Sequence, residues 1–166
     1  MNKTKTKRRQ GAVGAAAAAS TSVGAVLENE EIWKLLFAAW LIALGSTLSV
    51  LFIGEIMGQT PCVLCWYQRA FMFPLAVILA VACFRTDGAV WRYGMPLAVI
   101  GAAIAIWHTL VFTGVAPTAL EPCGQGPSCS SENMTILGGL PLPLLSVGAF
   151  GAIAVLLHLV RKGVSA

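Results

Sequence analysis

Twenty consecutive residues, Leu35 through Gly54, contain no Asp, Glu, Lys or Arg. An ionised side chain in hydrocarbon costs several kcal/mol, and a spanning helix needs roughly 20 apolar residues, so such a run is a candidate membrane span. The same criterion predicts four spans, at about 35–54, 66–84, 93–114 and 143–160; the second reaches back from Ala70 through Trp66 and Tyr67 across one charge, Arg69. Composition agrees, with 57% apolar and 11% charged residues against about 45–50% and about 25% in a soluble domain. An ordinary cytosolic or disordered chain is excluded. The expected fold class is all-α, an integral membrane four-helix bundle, with Gly45, Gly101, Gly148 and Gly151 suiting close helix packing in lipid.

Basic residues set the direction, because Lys and Arg stay on the cytoplasmic side. Ten of the eleven fall before the first span, between the second and third (Arg85, Arg92), or after the fourth (Arg161, Lys162). Both termini are then cytoplasmic. The loops Glu55 to Cys65 and Val115 to Leu142 carry Glu55, Glu121 and Glu132 but no Lys or Arg, and face outward. Residues 1–27, with the run Ala15 to Ala19, read as a low-complexity, disordered tail; a secretory signal is the rival reading, disfavoured because the stretch is weakly apolar and interrupted by Gly and Ser. Residues 28–166 form one membrane domain. Five basic residues lie in the first nine positions, which speaks of orientation and lipid headgroups; no RNA or DNA motif appears, and nucleic acid is not an expected partner.

The cysteines are not scattered like apolar fillers. Cys62 and Cys65 form a Cys-x-x-Cys in the first outward loop, Cys123 and Cys129 pair in the second, and Cys83 stands alone near the cytoplasmic end of the second span. Two outward pairs invite disulfides, which persist in an oxidising compartment. The first pair is a redox centre, a structural staple or half a zinc site. Zinc held by all four thiols is disfavoured by the five-residue gap of the second pair and by the compartment, so no metal is expected. The second pair either locks its loop or exchanges; Gly and Pro around both sulfurs suit a segment that moves between partners.

The surroundings of the first pair point to chemistry. A cysteine pair at a helix N-terminus feels the positive end of the dipole, which lowers the thiol pKa and favours thiolate. Arg69, four residues after Cys65, lies on the same helical face one turn deeper. There it stabilises a Cys65 thiolate, polarises an acceptor's carbonyl oxygen, or snorkels to headgroups. His108 lies near the outward end of the third span, where it hydrogen-bonds a polar headgroup, moves a proton, or bonds a neighbouring helix. Trp66 and Tyr67, belt residues by position, are also placed to wall a flat aromatic ligand.

Glu55-Ile56-Met57 followed by Pro61-Cys62-Val63-Leu64-Cys65-Trp66-Tyr67-Gln68-Arg69 strongly resembles the DsbB family of membrane disulfide-bond-formation proteins, especially its short BdbC-like branch. The resemblance runs over about 33–162 and includes the neighbourhood of His108, the short Cys123/Cys129 loop and Pro143-Leu144-Leu145-Ser146. It implies an enzyme of the bacterial cytoplasmic membrane, active on the extracytoplasmic face, that reoxidises a thioredoxin-like, DsbA-like thiol oxidase and passes the electrons to a quinone, ubiquinone or menaquinone. Carried onto this chain, it makes Cys123 and Cys129 the pair that meets the partner, with Cys123 the site of the mixed disulfide. Cys62 and Cys65 reoxidise that pair, Cys65 and Arg69 face the quinone, and His108 belongs to the quinone site.

Redox arithmetic supports this scheme. Exchange between cysteine pairs conserves two electrons, so the chain stops unless something removes them. With no haem ligand set, flavin fingerprint or convincing metal cluster in the sequence, a lipid-soluble carrier is the natural acceptor. Two alternatives remain. A vitamin-K-epoxide-reductase-like enzyme performs comparable chemistry, but there the Cys-x-x-Cys lies late in the chain. A non-enzymatic membrane subunit would use both disulfides only to brace its loops.

Overall fold

The computed structural model describes residues 29–115, 135–136 and 140–164. The 1–27 tail and the Cys123/Cys129 pair lie outside the described residues.

Among the described residues, four helices are long and apolar enough to cross a membrane. They are α1 (Asn29–Ile56), α2 (Val63–Arg85), α3 (Trp91–Phe112) and α4 (Leu142–Val164). A two-residue antiparallel ribbon, β1 (Thr135–Ile136) and β2 (Leu140–Pro141), leads into α4 with Thr135 opposite Pro141. The expected all-α membrane bundle is the observed architecture.

The helices outrun the charge-free segments that located them. A charged side chain at a helix end faces water while the backbone keeps its hydrogen bonds, so the charge-free run marks the apolar part of a helix rather than its ends. Thus α1 begins with Glu30, Glu31 and Lys34 already helical, and Lys34 pairs with Glu31 at 2.8 Å. Helix α4 runs past Arg161 and Lys162, two cations at the negative end of its dipole. At its other end α1 passes into a π-helical turn, Phe52–Ile56, so Glu55 is helical and not in a loop. Pro74 and Pro96 sit inside α2 and α3, as membrane helices tolerate when neighbours re-satisfy the backbone.

Each helix turns one stripe inward. On α1 the stripe is Ile32, Leu36, Ala39 and Ala43, spaced by four, three and four residues. It meets Leu75 and Leu79 of α2, Ala98 and Ala105 of α3, and Phe150, Ile153 and Leu157 of α4 in one core. Many outward residues, among them Leu48, Val77, Phe84 and Val155, are large, apolar and exposed, as lipid-facing surfaces are. At Gly101 an added Cβ would collide with the Phe150 ring, and at Gly94 it would lie 3.1 Å from Leu157. Close packing therefore explains Gly101 but not Gly45, Gly148 or Gly151, where a Cβ would meet nothing within 4 Å. Small residues look alike in sequence; only the facing helix decides which of them is needed.

The α2–α3 turn is tied by Asp87, whose carboxylate accepts from Ala89 N at 2.9 Å and from Tyr93 Oη at 3.3 Å. Gly88 in that turn packs against Val164 and Ile32, which brings the start of α1, the turn and the end of α4 to one end of the bundle. The α2 N-terminus, with Cys62 and Cys65, is at the other.

Candidate active site

Among the described residues three buried polar side chains interrupt this apolar bundle, Gln68, Arg69 and His108, and all lie toward the end that carries the cysteine pair. Pro61 precedes Cys62, which, with φ −72° and ψ 169°, is the extended N-cap of α2. Its carbonyl accepts the first helical bond, from Trp66 N at 3.2 Å. The Cys-x-x-Cys spacing then places Cys65 one turn on, over the cap residue. The two residues form a dithiol, with the Cys62 thiol donating to Cys65 Sγ at 3.2 Å.

Behind Cys62 stands His108 of α3, its Nε2 3.7 Å from Cys62 Sγ. The other ring nitrogen, Nδ1, is 3.1 Å from Gln68 Nε2. Cys62, His108 and Gln68 thus form a buried chain that crosses from α2 to α3 and back. With Gln68 Nε2 donating to Nδ1, the neutral imidazole carries its proton on Nε2, facing the sulfur; the amide orientation sets the tautomer. Gln68 does not stand out in the sequence, because it is uncharged and gains its meaning only from a residue forty positions away. The signal available was a primary amide inside an apolar span, beside Arg69.

The helix N-terminus was expected to lower the thiol pKa. At Cys62 the reverse holds: the thiol is pushed up to about 12, first by its hydrogen bond to Cys65 and then by burial, and the contact with His108 only partly opposes this. A proton held between two sulfurs in an apolar pocket outweighs the partial charge of the helix end.

Arg69 does not snorkel. Its Nη2 donates to Val50 O of α1 at 3.0 Å, and its Cζ lies 5.2 Å from the centroid of the Trp66 ring. Gly54 makes the room: a Cβ there would come within 3.0 Å of Nη2. The guanidinium therefore lies against the last turns of α1, where the helix becomes π-helical, a deviation often found at functional sites.

Arg69, Cys65 and Gln68 line one cavity of ≈ 700 Å³ between α1, α2 and α4. Its walls are largely apolar, including Leu41, Ile42, Met72, Leu145 and Phe150, with Ser46, Ser49 and Ser146 among the few polar groups. A largely apolar pocket with a few converging polar groups is the usual form of a small-molecule site. His108 is not among its lining residues and stands against Cys62 instead. Trp66 and Tyr67 do not wall it either; both are exposed on the outer face, Trp66 stacked on Arg69.

Residues 29–160 match the family described as disulfide bond formation protein DsbB. The chain is 60% identical over 131 residues to a probable disulfide formation protein of Metapseudomonas resinovorans, covering 78% of this chain and 91% of that one. It is 38% identical over 126 residues to disulfide bond formation protein C of Bacillus subtilis (strain 168), covering 76% and 91%. A probable disulfide formation protein of Deinococcus radiodurans is 40% identical over 138 residues, covering 78% and 90%. No solved structure matches the chain. The match takes in all four helices and the cysteine pair that opens α2, and by it the chain belongs to the DsbB family, multi-pass membrane oxidoreductases of disulfide bond formation.

Proposed function

We propose that this chain is a membrane protein-dithiol:quinone oxidoreductase. It takes two electrons from an extracytoplasmic, DsbA-like thiol oxidase and passes them to a membrane quinone, ubiquinone or menaquinone. The observation that carries this reading is that a redox cysteine and a buried guanidinium, Cys65 and Arg69, line the same apolar cavity within the membrane-spanning bundle. The distribution of basic residues supports a site on the extracytoplasmic face of the bacterial cytoplasmic membrane.

The residues present fit a quinone. A volume of ≈ 700 Å³ suits a flat ring and the first part of an isoprenoid tail. Arg69 spends one donor on Val50 O, and the planar fork has further N–H groups for a carbonyl oxygen. A bound quinone supplies a two-electron, two-proton acceptor. The chain's own residues do the rest. Arg69 orients the acceptor, Cys65 brings its sulfur to the cavity wall, and the apolar lining excludes water. When the dithiol becomes a disulfide, each sulfur loses a proton and the pair loses two electrons. The Cys62 proton lies toward Cys65 Sγ, and His108 Nε2, 3.7 Å from Cys62 Sγ, is placed to hydrogen-bond the sulfur as that proton leaves.

Upstream, Cys123 and Cys129 meet the partner oxidase, Cys123 forming the mixed disulfide, and Cys62 then exchanges with that pair. Cys62 is buried in the dithiol state, so its Sγ has to be uncovered for exchange. The test is quinone reduction by the purified protein given a reduced dithiol partner. Cys65→Ser abolishes turnover; turnover that survives it sinks the reading.

A further inference from the structure

We propose that the reduced Cys62/Cys65 pair, with His108, is a binding site for one thiophilic metal ion of the Zn²⁺ type. It exists only in the dithiol state. The three donor atoms lie within 4.8 Å of one another, and no other such cluster of His, Cys, Asp or Glu occurs among the described residues. Cys62 Sγ is 3.2 Å from Cys65 Sγ and 3.7 Å from His108 Nε2. A tetrahedral zinc ion with bonds of about 2.3 Å to sulfur and about 2.0 Å to nitrogen holds its sulfurs about 3.8 Å apart and sulfur and nitrogen about 3.5 Å apart. The two pairs that include Cys62 already stand within about 0.6 Å of that spacing, and a rotation of the Cys65 side chain closes the third, which lies within 4.8 Å.

The supporting contacts also suit an ion. Metal-bound histidines are oriented through their second ring nitrogen, and here Gln68 occupies Nδ1 and aims Nε2 at the cysteines. With Nε2 as ligand the proton moves to Nδ1 and the amide turns its oxygen to accept it, a change Gln allows. Two thiolates neutralise a divalent ion, so the complex carries no net charge into its buried pocket. Soft sulfur and imidazole donors select zinc-like ions over calcium or magnesium. Cys65 borders the cavity, which leaves a fourth position for water. A four-thiol zinc site would be a different donor set; His108 is what the fold adds.

Binding releases one proton from each thiol and moves no electrons. A disulfide offers neither thiolate, so an oxidised pair does not bind. The regulatory consequence rests on the proposed oxidoreductase reading: an ion caught by the reduced pair holds it there and blocks its reoxidation. Extracytoplasmic zinc is then an inhibitor that acts on the working enzyme and spares the oxidised one.

The experiment is Zn²⁺ titration of the purified full-length chain against a chromophoric chelator, after reduction by a phosphine and again after oxidation. One ion per chain is expected in the reduced protein and none in the oxidised protein. His108→Ala lowers the affinity at least tenfold, Gln68→Ala lowers it about 10- to 100-fold, and Cys123→Ala/Cys129→Ala binds like the parent. Equal binding by the oxidised protein, indifference to His108→Ala, or loss in the double variant would each overturn the site. The reduced-against-oxidised comparison needs no variant to fold. Because it reads metal and not turnover, a chain that binds zinc yet never reduces quinone refutes the oxidoreductase reading alone.

Discussion

Arg69 of α2 reaches across to α1 and donates from Nη2 to the main-chain carbonyl of Val50 at 3.0 Å, two residues before that helix becomes π-helical. The bond holds the guanidinium at the cavity wall and gives a cation in an apolar bundle a partner. Hydrogen bonds to charged groups contribute about 1.5–3 kcal/mol. Arg69→Ala is therefore expected to raise the KM for quinone by roughly 10- to 100-fold with the helical content preserved. Steady-state kinetics against quinone concentration checks this, and an unchanged KM removes Arg69 from the site.

Gly54 tests the same placement without touching the charge. Its missing Cβ is what lets Nη2 approach, since a methyl there would sit 3.0 Å away. Gly54→Ala pushes a flexible side chain by a few tenths of an ångström, so the expected loss is only a few-fold in quinone KM. Gly54→Val, a larger and β-branched intrusion, exceeds it. The ordering Ala, then Val, in the same quinone titration is the measurement; two equal effects would mean that crowding of Arg69 is not the cause.

Packing gives a stability contrast. Gly101→Ala drives a methyl into the Phe150 ring, and overpacking of this kind costs about 1–3 kcal/mol. Gly148→Ala meets nothing within 4 Å and gains helix propensity, so it is neutral or slightly stabilising. Thermal unfolding in detergent separates the two. Equal midpoints would contradict the α3–α4 contact.

The charge-free runs revealed the four helices because the cost of burying a charge in hydrocarbon does not depend on which helix is next door. They could not reveal where the helices stop, since Glu31 and Lys34 are helical and solvated at once. The Cys62/Cys65/Arg69 row was legible because residues three and four apart must share a helical face. What brings His108 to Cys62, and Gln68 to His108, is the docking of α3 on α2, and nothing local encodes it. The same blindness applies to the glycines: Gly101 and Gly148 differ only in what faces them. The thiol pKa differs for another reason: the helix dipole and the Cys62–Cys65 hydrogen bond are both local and oppose one another, and the burial that tips the balance comes from the packing of the helices.

That last difference has a direct chemical readout. The Cys62 thiol is raised to about 12, so it stays protonated throughout the physiological range and gives up its proton only as the pH climbs toward that value. At pH 8 its thiolate is about one part in ten thousand, against roughly a quarter for an ordinary thiol of pKa near 8.5. Alkylation of the reduced native protein by iodoacetamide is therefore expected to be at least about 100-fold slower at Cys62 than at a free thiol at pH 8. Its rate should keep rising beyond pH 10 without a plateau. Oxidation of the pair removes the reaction altogether, and denaturation restores ordinary reactivity to the reduced chain because it breaks the bond to Cys65 and ends the burial. Peptide mass spectrometry after timed labelling reads the rate at this one cysteine. A rate that levels off near pH 8–9 in the folded dithiol would show that the helix terminus, and not the shared proton, governs this sulfur.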